Sequence, residues 1–513
     1  MEESTRGKPV IRGMYHLFLG NTAYLIITGI SSILVARLLG PQSYALYGLA
    51  LLVPSYLYSA IHINTSASAV RFSAKYLSEG DREKAVSFGY STLLFQFLLA
   101  LAAFLISLPF SELIATEVYK RPVLGGYIPA ATASILGLAL MNVSSGHFQG
   151  IGSMKKSAIL SALQSLIRLV VSVGLIVLGF SAFGAVVGYS ASYIGGGLLG
   201  LGFLVYARKN IIPRDFISTI RTSLKYSFPL YAPGALSLIA TPFAETLLAN
   251  FATNERFGGF LAAYNLSILL VFFGTPISTA LFPRFSRLDK KSDDLSQTYS
   301  SAVKYTTLFI LPVVIAMMVF ATPLASSIYG TKYAFSGLYL AALAAPNLLV
   351  GFGAQNQLLN GIGETRKTMV AGLASTIAYL VGSITFVPFF SVYGIAFSSA
   401  LSTIVGLLVS SRMLRPILKK GILVRSVSRI YVASAVAAVL VYPLTLLRLP
   451  AVATVVVGVS LYIAVCIPLL VVTRSLTKED LSTLEAYFTS AGFLSPLLKL
   501  LLRYYRFFHG FYQ

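Results

Sequence analysis

The sequence contains little charge and almost no cysteine. Only 11% of its 513 residues are charged, whereas soluble domains carry roughly 25% charged residues. A soluble enzyme and a disordered chain are therefore excluded, because both need a far more polar surface. The single cysteine, Cys466, lies within an apolar run and has no second cysteine to pair with. A scaffold built on intrachain disulfides is excluded for that reason.

Long apolar runs are abundant instead. Hydrophobic residues make up 56% of the chain, and the mean hydropathy is +0.79. Runs of about 20 apolar residues are typical of membrane-spanning helices. The sequence therefore predicts an all-α integral membrane protein with about 14 transmembrane helices. The predicted spans are 14–36, 43–69, 85–109, 124–149, 157–179, 183–207, 227–250, 257–282, 300–321, 336–360, 368–388, 391–411, 430–447 and 451–472.

Basic residues are concentrated in alternate loops. The formal net charge is +22, which in a soluble protein would suggest a nucleic-acid partner. With the N-terminus placed in the cytoplasm, the inner segments hold 32 Lys and Arg residues and the outer segments hold six. The positive-inside rule accounts for this distribution. We therefore expect cytoplasmic N- and C-termini, a location in the cell membrane, and no nucleic-acid partner. The charged start leads into an apolar stretch from Met14 to about Val35, which predicts an uncleaved first helix.

The topology predicts seven segments. They are a cytoplasmic N-terminus (1–13), a first lobe of six helices (14–207), a cytoplasmic linker (208–226), a second lobe of six helices (227–411), a basic cytoplasmic loop (412–429), two further helices (430–472) and an amphipathic cytoplasmic tail (477–513). The tail contains a run of leucines with Lys499, Arg503 and Arg506, and this apolar run is too short to span. A short interfacial helix is predicted there, with a loosely ordered tail as the alternative.

The two lobes resemble each other at a nearly constant offset. Residues 149–157 align with 360–368, residues 180–185 with 390–395, and residues 71–73 with 284–286, at offsets of 211, 210 and 213. This offset covers six spans, so both halves enter the membrane in the same direction. The prediction is a pair of parallel six-helix lobes, an architecture that suits alternating access.

Arg168 is the one basic residue deep within a predicted span. It follows Lys156 by 12 residues, which places it roughly 18 Å along the helix, near the bilayer centre. An arginine there is costly unless it faces a wet cavity or an anion. It shares one helix face with Ser157, Ser161, Gln164 and Ser172. We interpret this stripe as a site where the guanidinium binds a phosphate-like anion. The alternatives are bonding to carbonyls of a kinked helix or pairing with Glu245.

Polar side chains also recur on other predicted spans. Candidates for a hydrated central cavity are His62 on the second span, Asn142 and Gln149 on the fourth, and Asn347 and Gln355 on the tenth. The alternative for each of them is hydrogen bonding between packed helices. For His62 alone, a satisfied interior residue is the simpler interpretation.

Glu245 is the only acidic residue within a span, about five residues from the outer end of the seventh. A carboxylate within a span is a candidate site for a proton or a coupling cation. A hydrated carboxylate at the membrane interface is the alternative.

Motifs for cofactors and catalysis are missing from the sequence. The segment 361–368 resembles a phosphate loop but lacks the glycine before the lysine and follows a predicted span. No cluster of His, Cys and carboxylates suits a metal, and no nucleophile is paired with a base. We therefore expect no cofactor, no metal and no enzymatic activity.

The segment Ala36–Tyr47 reads ARLLGPQSYALY. It resembles the polysaccharide-transporter (Wzx-type) flippases of the multidrug/oligosaccharidyl-lipid/polysaccharide (MOP) superfamily. Residues 70–72, 78–81 and 149–152 strengthen this resemblance, which extends over essentially the whole chain. It implies a fourteen-helix, two-lobed fold like that of MATE exporters and lipid II flippases. It also implies export of a lipid-linked oligosaccharide, with cationic cavity residues holding the phosphates. Arg168 is the candidate for that role.

Three functions remain open at this point. The first is a flippase for a lipid-linked glycan, with membrane lipids and H⁺ or Na⁺ as further partners and a single chain as the functional unit. The second is a MATE-like cation-coupled multidrug exporter, which Glu245 favours, although the first six spans contain no Asp or Glu. The third is a membrane glycosyltransferase or polymerase. It is remote, because the outer loops offer only Glu112, Glu117 and Glu255.

Overall fold

The computed structural model describes residues 2–206, 215–286, 293–418, 424–447, 449–475 and 504–505. Over these ranges the chain is helical and contains no β-strand. The α-helices are α1 (Glu2–Ile61), α2 (Thr65–Ser78), α3 (Arg82–Leu113), α4 (Leu124–Thr132), α5 (Ser134–Gly150), α6 (Met154–Leu175), α7 (Ser181–Tyr206), α8 (Phe216–Phe251), α9 (Asn254–Ser286), α10 (Asp293–Val319), α11 (Ala321–Tyr329), α12 (Ser336–Ala344), α13 (Ala354–Gly361), α14 (Thr365–Phe390), α15 (Val392–Leu414), α16 (Val424–Val441) and α17 (Ala451–Val472).

Several helices continue through turns of different pitch. Wider turns extend α3 over Ile114–Val118 and α6 over Ile176–Phe180. Tighter turns occupy Thr331–Tyr333, Ala345–Gly353 and Tyr442–Leu446. The last two begin with a proline in the first turn, which removes a backbone donor and favours a break in the α-helical pattern.

The protein is an all-α, multi-pass membrane protein. Ten helical segments are long and apolar enough to cross a bilayer, or up to eleven if the bent α8 is one span, counting only residues that the structure describes. In two of the ten, a glycine with a positive φ interrupts the helix, Gly40 (φ 67°) in one and Gly179 (φ 95°) in the other. The number of fourteen crossings is not confirmed and stays a prediction.

Two predicted segments differ from the structure or fall outside it. The second predicted span, 43–69, is interrupted, because α1 ends at Ile61 and α2 begins at Thr65. Asn64 between them adopts a left-handed conformation (φ 52°), which asparagine tolerates better than most residues. The predicted tail helix in 477–513 lies outside the described residues, apart from 504–505.

The chain divides into two compact units, Met1–Gly258 and Gly259–Gln513. The first unit includes α8, although the sequence predicts its membrane span as part of the second lobe. Hydrogen bonds account for this placement. Ser223 Oγ on α8 lies 2.6 Å from Ser68 Oγ on α2, and the Tyr231 hydroxyl donates to the Ser59 carbonyl at 2.5 Å.

In the first unit, glycines allow α7 to approach α5 and α6 closely. A Cβ added at Gly188 would lie 2.3 Å from Ser172 Oγ on α6. A Cβ added at Gly137 on α5 would lie 2.2 Å from the backbone of Tyr193 on α7. Small residues are the usual means of close packing between membrane helices. The close approach at Gly188 therefore holds α7 against α6.

In the second unit, α10, α16 and α17 pack around a buried aromatic core. Phe320 and Tyr462 are almost fully buried, and Gly458 leaves room for the Phe320 ring. Cys466 is buried in the same cluster with a free thiol, 4.0 Å from Ser434 Oγ.

The internal repeat is also visible in the backbone of each unit. Gly152 and Gly363, 211 residues apart, both have positive φ angles of 74° and 81° at the turn before a long helix. Ser181 and Ser391, 210 residues apart, adopt φ/ψ of 48°/−136° and 51°/−123° where one helix gives way to the next. The matched backbone geometry supports a duplicated unit, and the parallel orientation in the membrane stays a prediction.

Candidate functional site

Arg168 lies in the middle of α6 and contacts tyrosines from two other helices. Its Nη2 donates a hydrogen bond to the hydroxyl of Tyr47 on α1 at 3.0 Å. Its Cζ lies 5.1 Å from the ring centroid of Tyr189 on α7, within the range of a cation–π interaction. The side chain is partly buried.

Further tyrosines complete this arrangement. Tyr193 lies one turn after Tyr189, and their rings meet edge to face at a centroid distance of 5.0 Å. Tyr44 stacks on Tyr47 at 5.8 Å. Both pairs have helical spacing, so each helix presents its two rings on one face. We call Arg168, Tyr47, Tyr189 and Tyr193 the Arg168 cluster.

Among the residues that the structure describes, the guanidinium has no acidic counterpart. Within the ranges that the structure describes, no carboxylate forms an ion pair with Arg168, so the alternative of pairing with Glu245 is not observed. Tyrosine hydroxyls and ring faces offer partial charges only, and a cation in low dielectric attracts a full negative charge strongly. The cluster is therefore suited to an anion with several oxygen atoms, such as a phosphate.

The rest of the predicted stripe mainly serves packing. Gln164 is buried, and its Nε2 donates to Ser192 Oγ on α7 at 2.9 Å, while its Oε1 has no protein partner among the described residues. Ser161 Oγ bonds to the Ser157 carbonyl at 3.4 Å within its own helix. Ser172 Oγ is buried against Gly188 without a described hydrogen-bond partner. These three side chains lie at helix contacts, and their role in a cavity stays a prediction.

The other candidates of the first unit form two hydrogen-bonded groups. Gln149 Nε2 donates to Ser145 Oγ at 3.3 Å and to Ser157 Oγ at 3.1 Å, joining α5 to α6. His62 Nδ1 lies 2.8 Å from the hydroxyl of Tyr58, and Asn142 Nδ2 donates to that same hydroxyl. The structure thus brings His62 and Asn142 together through Tyr58.

Asn347 and Gln355 belong to the second unit. Gln355 is buried and donates to Ser411 Oγ on α15 at 2.7 Å, a contact between packed helices. Asn347 is partly buried in the tight turn that precedes α13. Their role in a cavity stays a prediction.

Glu245 occupies a separate place on α8. Its side chain is 9% exposed, and it forms no ion pair or hydrogen bond with a described residue. Tyr56 and Tyr119 are close enough to interact with it electrostatically, and Tyr56 donates to the neighbouring Thr246 at 3.0 Å. The choice between a coupling site and a hydrated carboxylate at the membrane interface stays a prediction.

Sequence reasoning missed the aromatic half of the Arg168 cluster and also missed Arg121. The i, i+4 spacing of Tyr189 and Tyr193 was a visible signal, but nothing in the sequence shows which helix they face. Arg121 bonds to the carbonyls of Ala249 at 2.9 Å and Ala252 at 3.0 Å, at the end of α8. Burial lowers the pKa of this guanidinium from its ordinary value, and the contacts help to fix α8 beside the first helices of the unit.

Metal chemistry finds no support in these residues. In the described ranges no group of three or more His, Cys, Asp or Glu side chains could hold a metal ion. The candidate site is built from one cation and phenol groups, a set of side chains suited to binding an anion.

Comparison with known proteins identifies the family. The polysaccharide biosynthesis protein family matches residues 10–289, more than half of the 513 residues. The chain belongs to this family. The family assignment confirms the resemblance of the segment Ala36–Tyr47, which lies within the matched range. No curated protein matches this polysaccharide biosynthesis protein in sequence.

Solved structures of similar fold come from transporters. "Lipid II flippase MurJ, inward closed conformation" aligns with a TM-score of 0.74 at 16% identity, covering 89% of this chain and 98% of that one. An inward-facing multidrug resistance MATE family transporter of the MOP superfamily aligns at 0.62 and 18% identity, covering 77% and 95%. An outward-facing MATE transporter aligns at 0.54 and 21%, covering 81% and 97%. The predicted MATE-like, all-α membrane fold is confirmed.

Proposed function

We propose that this polysaccharide biosynthesis protein is a flippase that moves a lipid-linked oligosaccharide from the cytoplasmic to the outer leaflet. The family assignment supports this proposal, and so does a fold like that of a lipid II flippase. The observation that carries it is Arg168, a partly buried cation in mid-helix with no carboxylate partner among the described residues.

The chemistry of such a substrate fits the Arg168 cluster. A lipid-linked glycan has an apolar tail that remains in the bilayer and a sugar-phosphate head that must cross it. The planar guanidinium can bind two phosphate oxygens at once. The hydroxyls of Tyr189 and Tyr193 can exchange hydrogen bonds with sugar hydroxyls, because tyrosine both donates and accepts. The proposed mechanism is alternating access by a single chain, without catalysis or a cofactor.

Glu245 is the proposed site of ion coupling. An unpaired, buried carboxylate gains most from binding a proton or Na⁺, since either removes an uncompensated negative charge from a low dielectric. The energy of a proton or sodium gradient would then enter the cycle at α8, apart from the substrate.

Flipping can be measured directly in proteoliposomes. Purified protein is reconstituted with a fluorescent polyprenyl-diphosphate oligosaccharide, and a membrane-impermeant quencher reports the label that reaches the exposed leaflet. We expect the quenched fraction of the label to rise above that of protein-free liposomes, in which only the exposed leaflet is quenched, and to fall back when Arg168 is replaced by Gln. Equal quenching with and without protein would refute the flippase function.

A MATE-like multidrug exporter is the second candidate, and Glu245 is the observation that favours it. The same proteoliposomes test this function when the transport of a cationic dye is measured under an imposed proton or sodium gradient. Gradient-driven dye transport that is lost in Glu245→Gln, together with no flipping of the lipid-linked sugar, would make this the correct assignment.

A further inference from the structure

The first unit contains a cation-lined cavity, about 260 Å³ in volume, away from the Arg168 cluster. Arg82 at the start of α3 and Lys156 at the start of α6 both line it. Lys156 precedes Arg168 by 12 residues on the same helix, a separation of roughly 18 Å. We call this space the Lys156 cavity. Its volume falls slightly below the range of about 300–1,000 Å³ for small-molecule sites, a size that suits a headgroup.

Two helices begin at this cavity, and one of them lacks a side-chain cap. At α3, Asp81 accepts a hydrogen bond from the Lys84 backbone N–H at 2.8 Å. At α6, the N-cap residue Ser153 makes no side-chain cap hydrogen bond, although it lines the cavity. The Lys156 N–H donates to the Ser153 carbonyl at 3.0 Å, which leaves the N–H groups of Met154 and Lys155 as the donors at this end, and the helix dipole adds positive potential there.

A buried histidine supplies an independent indication of a ligand. His147 is 1% exposed and lines the cavity. Its Nδ1 lies 2.8 Å from Ser73 Oγ, and its Nε2 forms no hydrogen bond with any residue that the structure describes. On a side chain this buried, a ring nitrogen that has no partner among the described residues needs one from the cavity. When Ser73 donates to Nδ1, Nε2 carries a proton and can donate to an anion.

The walls of the cavity are apolar. Leu77, Phe148 and Leu204 line it, and Lys156 Nζ lies 5.4 Å from the Phe148 ring centroid. No acidic side chain is among the described residues that line it. A basic rim over apolar walls, between membrane helices, is the arrangement that binds the head of an acidic lipid.

We propose that the Lys156 cavity binds the phosphate headgroup of an acidic membrane lipid. Arg82 and Lys156 neutralise the phosphate, while Ser153, His147 Nε2 and the uncapped start of α6 donate hydrogen bonds to its oxygens. The site is separate from the transport function proposed for Arg168, so either can fail without the other. The positive-inside prediction places it on the cytoplasmic side, where such lipids are abundant.

The test uses purified full-length protein in detergent, titrated separately with short-chain phosphatidylglycerol, short-chain phosphatidylcholine and inorganic phosphate. The double variant Arg82→Gln/Lys156→Gln removes both cations. The matched control Lys84→Gln/Lys155→Gln removes two neighbouring lysines that do not line the cavity. We expect phosphatidylglycerol to bind the wild type, and its affinity to fall about 5-fold per lost cation, or ~25-fold for the double variant. The control and a charge-preserving Lys156→Arg variant should remain within about twofold.

The three ligands separate the sources of the phosphate. Phosphatidylglycerol binding that depends on Arg82 and Lys156 and resists millimolar inorganic phosphate supports a lipid head. If inorganic phosphate competes fully and its binding also depends on Arg82 and Lys156, the cavity is still a phosphate site, but its ligand is soluble. Equal affinity of the double variant and the wild type, or an equal loss in the control, would overturn the site, because general surface charge would then explain the binding.

Discussion

Replacing Arg168 gives the sharpest test of the proposed transport chemistry. Arg168→Gln keeps a polar side chain but removes the charge and the planar fork. In the structure this side chain donates to Tyr47 and lies over Tyr189, and no described carboxylate neutralises it. Its charge therefore remains available for a substrate phosphate.

The expected size of the effect follows from hydrogen bonds to charged groups. Such a bond contributes about 1.5–3 kcal/mol, which corresponds to a loss of roughly 10- to 150-fold in apparent affinity for the lipid-linked substrate. Arg168→Lys restores the charge without the fork, so an intermediate loss is expected. Tyr47→Phe removes only the hydroxyl that orients the guanidinium, and we expect a loss below about fivefold.

The assay is the initial flipping rate against substrate fraction in proteoliposomes, at matched protein content. Lys155→Gln is the charge-matched control, because Lys155 is exposed near the start of the same helix. A merely structural role for Arg168 would lower the thermal unfolding midpoint and the rate together, and Lys would not restore the rate. If Arg168→Gln flips the substrate with unchanged rate and affinity, the reasoning about an unpaired cation is wrong.

Three further variants test other parts of the fold. Glu245→Gln should abolish any effect of an imposed proton or sodium gradient on flipping, since an amide neither binds a proton nor balances a cation; retained gradient dependence would exclude Glu245 as the coupling site. Arg121→Gln should lower the free energy of unfolding by about 2 kcal/mol or more, measured by thermal unfolding in detergent, because the carbonyls at the end of α8 lose their donor. Gly188→Val should destabilise the first unit by about 1–3 kcal/mol through overpacking against Ser172, whereas Gly202→Ala on the same helix, with open space around it, should be neutral or slightly stabilising.

The helical architecture could be predicted because it depends on local properties of the chain. Apolar length sets where helices lie, and Gly40 followed by Pro41 marks a change of direction that the structure shows as a kink. The break before α2 could not be predicted in the same way. It depends on a left-handed Asn64, and the hydropathy of residues 43–69 continues across it.

The candidate site could be predicted only in part. The depth of Arg168 follows from counting residues along one helix, and the stripe around it follows from helical periodicity. Its aromatic partners do not, since Tyr47 lies 121 residues away in sequence and the approach of α7 depends on Gly188. Gln149 and Gln164 form hydrogen bonds between helices. Periodicity alone cannot distinguish such residues from residues that line a cavity.

The duplicated backbone geometry links the sequence repeat to the physical constraints of the fold. Ser181 and Ser391 adopt a conformation near φ 50° and ψ −130°, which costs a residue with a Cβ about 1–3 kcal/mol. The two strained serines lie 210 residues apart, each at a junction between consecutive long helices. It is difficult to explain this match as two independent chance events. In both units the tight junction returns the chain directly into a closely packed antiparallel partner, with Gly184 and Gly394 making the approach. Arg168 lies on the first helix of one such pair, and the corresponding helix α14 contains no basic residue beyond its first turn. The duplication therefore accounts for the scaffold, and α14 carries no counterpart of the cation that we assign to the substrate.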